Sequence, residues 1–573
     1  MHRRPGCLLV AFVSVGCTHD WGRVPLPILD ASIAEDIIAD RELSTDISPA
    51  IALPRPVFPL SMSVTSSQYV RLAWALGPGA DGALYELFRD RACTVRVRSA
   101  IARGTTLTLA TPLTEPGVYY WRLTGTRGGT IGTQRSPVWA FVVRSRSTPI
   151  ASAFAAPLDV NGDGLADVAV GAPNAAFVGR VYVYHGRPEG IAAAPSATLE
   201  APSPEDRGFG TVDGVGDVNG DGFGDLVVGA PTTRGLTGRV YVYHGGPDGI
   251  ATTPATTIDG LDGANAAFGG RVTGLGDVNG DGYADVAIST PQKVNGNFGG
   301  GVYVFHGGPS GLGASPATTI DPSGPRAIEL GNALREAGDL DNDGFADFFT
   351  GEGGWAAYHG RALVFHGSAA GLRTVPTTVV VQYAHSFGAR LAGAMDINGD
   401  GHPDMIGAML GTAPAGERLL VFAGTPTGIP VTATQTIPTF DPPNSEFGGG
   451  AECVGDIDGD GYDDVAIGSR SYQRGLGRVR LFRGGPGGLS TVASVVWESP
   501  AGAGGHFGTI PTGIGDVNGD LADDVAVTAP DAESNSGVVC IYHGARGELP
   551  LAVPSTILRA PAGGNFGQSI AKR

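Results

Sequence analysis

An acidic nine-residue phrase that recurs seven times, short apolar runs between tight turns, and an aromatic-rich stretch ahead of the first repeat together predict an all-β chain. The expected architecture is a seven-bladed β-propeller preceded by a small β-sandwich. The phrase starts at residues 159, 217, 277, 339, 396, 456 and 516, a spacing of 57 to 62 residues. A length of 573 residues exceeds one ordinary core. Gly (92 residues) and Pro (41) are abundant and charged residues reach only 16%, yet 42% of the chain is hydrophobic, which suits many short strands rather than disorder. The net charge of −18 disfavours nucleic acid as a partner and calls for counter-charge within the fold.

Residues 1–16 read as a signal peptide. Arg3 and Arg4 precede an apolar run from Cys7 to Val15, and the small residues Ser14 and Gly16 stand before Cys17. Ser14-Val15-Gly16-Cys17 resembles a bacterial lipobox, although Ser14 stands where that pattern usually has Leu. The resemblance implies lipidation of Cys17; plain secretion after cleavage of the same bond is the alternative. The run is too short to span a bilayer, and no later stretch is long and apolar enough. The chain is therefore expected to be exported, as a cell-surface or outer-membrane lipoprotein or as a secreted protein, with a lipid anchor as its only membrane contact. Residues 17–55 read as an acidic tether. Cys17, Cys93, Cys453 and Cys540 show no paired spacing, so neither a zinc site nor a disulfide framework is expected.

Residues 56–145 carry strand-like runs at 70–74, 84–89, 106–110, 118–123 and 139–143, separated by turns such as Gly77-Pro78-Gly79. With Trp74 early and Tyr119, Tyr120 and Trp121 late, the segment resembles a fibronectin type III β-sandwich, which implies a spacer.

Residues 150–573 are the repeat array. Each nine-residue phrase is followed by an apolar strand (VAVGAP at 168–173), a second strand ending in a turn (GRVYVYHG at 179–186), a third (TTIDG at 256–260) and a fourth that opens with Phe-Gly, as at Phe209, Phe268, Phe387, Phe447 and Phe507. Four short antiparallel strands make one propeller blade. Phe-Gly, the acidic loop and the Gly-Ala-Pro at 171–173 and 229–231 are identified as the FG-GAP repeat, the unit of the integrin alpha-chain propeller. The chain ends in NFGQSIAKR (565–573), which restarts a Phe-Gly strand without a following loop, while Ile150-Ala151 replace Phe-Gly in the first repeat. The C-terminal strand is thus expected to join the first blade and remove a free edge. Which of the two segments lies innermost is left open by the sequence.

The acidic loops carry an oxygen-only ligand set. Position 1 is Asp159, Asp217, Asp277, Asp339, Asp396, Asp456 and Asp516; position 3 is Asn161, Asn219, Asn279, Asp341, Asn398, Asp458 and Asn518. Position 5 is Asp163, Asp221, Asp281, Asp343, Asp400, Asp460 and Asp520; position 9 is Asp167, Asp225, Asp285, Asp347, Asp404, Asp464 and Asp524. Alternate side chains in a tight turn converge, and a hard cation takes six to eight oxygens, so about seven Ca²⁺ are expected. An Asx-rich turn without an ion is the bland reading, but three or four carboxylates in nine residues repel one another. Seven divalent ions would offset most of the acidic excess. Loops four and six, with four carboxylates each, are expected to bind tightest, and loop seven, where Leu521 replaces Gly, weakest.

Strand alternation puts the calcium loops on one face and the loops flanking Gly-Ala-Pro and Phe-Gly on the other. The integrin resemblance implies that this opposite face meets a ligand. Phe177, Arg234, Lys293, Phe298, Trp355, Tyr358, Tyr472 and Arg474 are the candidates there, being residue types that anchor interfaces. His185, His244, His306, His366 and His543 recur in equivalent His-Gly turns and read as structural. No nucleophile elbow, zinc-protease motif or phosphate loop is present, so no enzyme activity is expected. The function these features point to is a calcium-binding adhesion module for a protein or glycan. A secreted lectin-like propeller and an accessory domain of an extracellular enzyme are the alternatives.

Overall fold

Among the described residues, seven four-stranded antiparallel sheets follow one another between Val168 and Ile570, one per acidic loop. The computed structural model describes residues 51–148, 153–154, 156–291, 299–322, 329–355, 359–382, 386–410, 416–500 and 505–571. They belong to one compact unit, Ile38–Arg573. The expected signal peptide, Cys17 and most of the tether lie outside these residues.

The second sheet shows how the sequence builds each repeat. Its strands are Thr211–Gly214, Leu226–Gly229, Arg239–Tyr243 and Thr256–Asp259, paired in that order. Leu226–Gly229 is buried at every position because another sheet packs on each side of it. Thr256–Asp259, at the edge, buries only Ile258. Phe209 is fully buried, its ring 5.8 Å from that of Tyr241 and 6.4 Å from that of Tyr243. Gly171 of the first sheet faces the neighbouring Phe-Gly backbone so closely that a Cβ there would lie 1.9 Å from the carbonyl oxygen of Gly210. The Phe-Gly and Gly-Ala-Pro signatures are thus two sides of one sheet-to-sheet contact: an aromatic plug, and a glycine that lets backbones meet.

The first sheet contains Val168–Ala172, Arg180–Tyr184 and Ala197–Glu200, and its fourth strand is Ser569–Ile570 from the chain end. Val170 pairs with Ile570 and Gly171 with Ser569. Phe566 sits 5.7 Å from Tyr182, repeating the Phe209–Tyr241 contact. One apolar cluster joins Val168, Val170, Phe566 and Ile570 to Ala526, Val539 and Ile541 of the last sheet. The C-terminal strand therefore takes the inner position that the sequence left open. Ile150 and Ala151 lie outside the described residues, but Ala153–Phe154 pairs instead with Val64–Thr65 of the N-terminal module.

That module has two sheets packed across Leu72, Trp74, Tyr85, Leu87, Trp121, Trp139 and Phe141. The five expected strand regions are present. Arg55–Phe58, Val64–Thr65, Arg96–Arg103 and Thr130–Arg135 were not expected, because proline breaks the first and polar residues dominate the last two. The module extends ahead of residue 56: Ile51 is buried and Arg55 pairs with Ala75, so the end of the expected tether belongs to it. Nor does the module stand clear as a spacer. It lies on the acidic-loop face, where Arg91 stacks on Phe223 at 3.9 Å, Arg55 on Tyr283 at 4.4 Å and Arg146 on Tyr462 at 4.2 Å. These three aromatic residues occupy position 7 of loops two, three and six.

Candidate metal centres in a ring of acidic loops

Each loop is folded by its own acids. In loop two, Asp217 Oδ1 accepts from the Gly220 N–H at 2.6 Å and Oδ2 from the Gly222 N–H at 2.6 Å. Asn219 Oδ1 accepts from the Asp221 N–H at 3.0 Å, and Asp221 Oδ1 from the Phe223 N–H at 3.0 Å. These are Asx-type turns, which the short acceptor side chains of Asp and Asn favour. Asp225 Oδ2 accepts from the Val218 N–H at 2.8 Å and Oδ1 from the Gly245 N–H at 2.9 Å. Position 9 thus ties the loop shut and bolts on the His-Gly turn of the same sheet. The same two bonds occur at position 9 of every loop, as at Asp347 and Asp524.

The loops are also linked to one another. The position-8 N–H donates to the position-1 carbonyl of the preceding loop, as from Gly224 to Asp159 (2.8 Å), Ala284 to Asp217 (3.0 Å) and Ala346 to Asp277 (2.8 Å). The bond from Ala166 to Asp516 (2.8 Å) carries the series across the closure. Pro403 at position 8 of loop five has no N–H to give. In loops six and seven position 8 is itself acidic. Asp463 accepts from the Asp396 N–H at 2.7 Å and Asp523 from the Asp456 N–H at 2.8 Å. Sequence reading passed over these two acids because position 8 falls outside the alternating ligand pattern.

The carboxyl groups are held in a costly state. Asp159, Asp225, Asp285, Asp347, Asp464 and Asp524 are all 0% exposed. Burial pushes the Asp277 and Asp339 carboxyls up to about 6, Asp456 to about 7 and Asp347 to about 8. Burial first, then the neighbouring Asp217, raises Asp225 well above the carboxylate range. Buried like charges this close need a cation or protons.

A hard cation fits the donor set. In loop four one oxygen from each of Asp339, Asp341 and Asp343 lies within 4.8 Å of the others, as is so for Asp456, Asp458 and Asp460 in loop six. Asp341 Oδ1 is buried without a hydrogen-bond partner, while Oδ2 lies 3.0 Å from His366 Nδ1. Charge count alone ranks loops four and six together, but the structure separates them. The Arg483 guanidinium pairs with both Asp458 and Asp460, the latter at 2.7 Å, so loop six already carries a tethered cation.

Loop seven carries the strain its sequence implied. Position 6 has φ between 82° and 93° where it is Gly, and Leu521 adopts 69°. Leu521→Gly is expected to raise stability by about 0.5–1 kcal/mol and to tighten the seventh site. Urea denaturation with and without calcium checks this; a loss of stability in both would show that the Leu521 contact with the Gly117 region outweighs the strain.

The opposite-face candidates are not gathered into one site. Phe177 (95% exposed), Arg234 and Arg474 project outward from tight turns with φ of 69°, 48° and 63°. Tyr472 is held internally, since Arg478 stacks on its ring at 3.7 Å and donates to its hydroxyl at 2.7 Å. Trp355 lies under Arg361 at 5.1 Å. Lys293, Phe298 and Tyr358 fall outside the described residues.

Four-stranded sheets joined through Phe-Gly contacts, with an acidic loop leading into the apolar strand of each, give the chain a β-propeller architecture that carries FG-GAP repeats. The FG-GAP repeat family matches residues 151–184, 209–243, 268–305 and 448–482. The chain is similar to integrin alpha-4 of Xenopus laevis (33% identity, 32% of this chain and 18% of the relative) and to integrin alpha-6 of Gallus gallus (37%, 25% and 14%). It is also similar to integrin alpha-IIb of Mus musculus (38%, 25% and 14%). The chain spans less than a fifth of the length of these curated relatives. Among solved structures the Dos1 propeller aligns over 84% of this chain and 97% of its own, at 10% identity and a TM-score of 0.37.

Proposed function

We propose that this chain is an exported, non-catalytic, seven-bladed β-propeller that binds about seven Ca²⁺ and presents its opposite face to a protein or glycan as an adhesion module. The buried, mutually repelling carboxyls of the seven loops carry the calcium reading, because their oxygen-only sets suit a hard cation. Positions 1, 3, 5 and 9 would hold the ion, and its charge would replace the protons that burial otherwise draws in. The seven four-stranded sheets and the shared core of the first and last support the blade count. The two-sheet module is read as the fibronectin type III-like sandwich. Its place on the acidic-loop face leaves the other face for a partner. Among the described residues no helix is long and apolar enough to cross a membrane.

The test is binding of the full chain to an array of glycans and matrix proteins, in calcium and in EDTA. A discrete hit in calcium that disappears in EDTA is the expected outcome, and its class separates protein adhesion from a lectin role. No hit from calcium-loaded, folded protein would contradict the adhesion reading.

A further inference from the structure

The inner strands of the sheets surround an axial channel, and its chemistry differs from that of the acidic loops. Successive side chains of a strand point to opposite faces, so residues two apart share the channel side. Four residues before loops two, three, four, six and seven stand Asp213, Thr273, Arg335, Glu452 and Thr512, which line one level of the channel. Two residues earlier stand Arg271 and Arg390, at the same register in sheets three and five, and they line the level nearer the Phe-Gly face. Arg470 lines that level too.

Three of these four arginines are paired. Arg335 Nη2 meets Glu452 at 2.5 Å across the channel, and Arg470 pairs with Glu446. Arg390 donates to the carbonyls of Gly449 at 2.9 Å and Ala389 at 3.0 Å. The Arg271 guanidinium forms no hydrogen bond or ion pair with any described residue, although solvent reaches it. Enclosure by the channel walls, then Arg390 and Arg335, lowers its pKa to about 10, while Glu452 acts in the other direction. The surrounding cavity has a volume of about 180 Å³, room for one small charged group. At the acidic-loop end, Val57, Phe58 and Leu60 of the N-terminal module line a second cavity of about 340 Å³ that shares Asp213, Arg335 and Glu452 with the first, so two carboxylates also line the cavity around Arg271. The module stands at that end, so the approach to Arg271 is from the opposite face.

The geometry points to an oxyanion-binding site in the axial channel, in which Arg271, backed by Arg390, receives a carboxylate or phosphate group entering from the face opposite the acidic loops. A guanidinium without a partner, in a recess of this size, matches such a group by charge and by its fork of donors. The oxyanion has two sources, a free small anion or an acidic side chain of a protein partner. The inference does not depend on calcium occupancy, so each can fail alone.

The experiment is calorimetric titration of the calcium-loaded full chain with inorganic phosphate and, separately, with glutarate as a probe for a peptide carboxylate. Wild type is expected to bind at least one probe with one-to-one stoichiometry and an affinity that falls with added salt. Arg271→Gln is expected to weaken that binding by at least about tenfold, and Arg271→Lys by only about threefold. The thermal midpoint of Arg271→Gln should equal or exceed that of wild type, since the substitution removes repulsion and breaks no ion pair. Binding of phosphate alone assigns a free anion, and binding of glutarate assigns a carboxylate. Binding of neither probe, or equal binding by wild type and Arg271→Gln, overturns the inference.

Discussion

In EDTA the chain should lose stability as the pH rises from about 5 to about 8, and in millimolar calcium it should gain stability over the same range. The sign follows from the raised carboxyls. A buried Asp whose folded pKa lies above its unfolded value favours folding while protonated, and that contribution is lost as the pH climbs through the folded value. For Asp277 and Asp339 the window runs from about 4 to 6, and for Asp347 to about 8. One pKa unit is about 1.4 kcal/mol, so Asp277 alone costs the ion-free fold about 3 kcal/mol at pH 8. Calcium held as proposed would bind the ionised form and reverse the slope. At about 100 times its dissociation constant each ion adds about 2.7 kcal/mol, so several sites together should raise the thermal midpoint at pH 8 by roughly 15 °C. Scanning calorimetry at pH 5 and pH 8, with calcium and with EDTA, checks both signs. Parallel pH profiles in the two conditions would mean that the loops are Asx turns without an ion.

Arg144→Met should cost about 3–5 kcal/mol and loosen the N-terminal module. Arg144 Nη2 meets Asp463 Oδ1 at 2.5 Å, with side-chain exposures of 9% and 1%. Asp456 and Asp523 also act on it, and together the three acids hold its pKa above the usual guanidinium range against the effect of burial. Methionine keeps much of the stem packing but leaves those acids facing an apolar group. Asp463→Asn should recover part of the loss in the double variant, because the amide oxygen can still accept from the Asp396 N–H. Limited proteolysis around residues 149–155 reads out detachment, and denaturation gives the energy. A loss below about 0.5 kcal/mol would mean that the stacking of Arg55, Arg91 and Arg146 holds the module without this pair.

The repeats were legible because each phrase has a local physical cause. Gly at position 6 supplies the left-handed bend, Asp and Asn at positions 1, 3 and 5 make the turns, and the strand after the loop is apolar throughout because it is buried on both sides. Leu521 could be flagged as strained from its place in the phrase alone. What depended on residues far apart in the chain was not legible. Nothing near Arg144 or Arg91 names an acidic loop as its partner, and Arg483 reads as a variant His-Gly turn until the fold sets it on Asp458 and Asp460. The competition between Ala153–Phe154 and Ser569–Ile570 for the inner place was decided by pairing with Val64–Thr65, a strand of two residues that leaves almost no sequence signal. The channel arginines could have been found by counting back four and six residues from each loop. That count has meaning only once the inner strands are known to line an axis.

Whether the acidic loops hold metal is read from native mass spectrometry of the full chain after dialysis against micromolar calcium. About seven bound ions are expected, with loops six and seven the first to empty as EDTA is added. A chain that stays folded and carries none, or only one or two, would contradict that expectation.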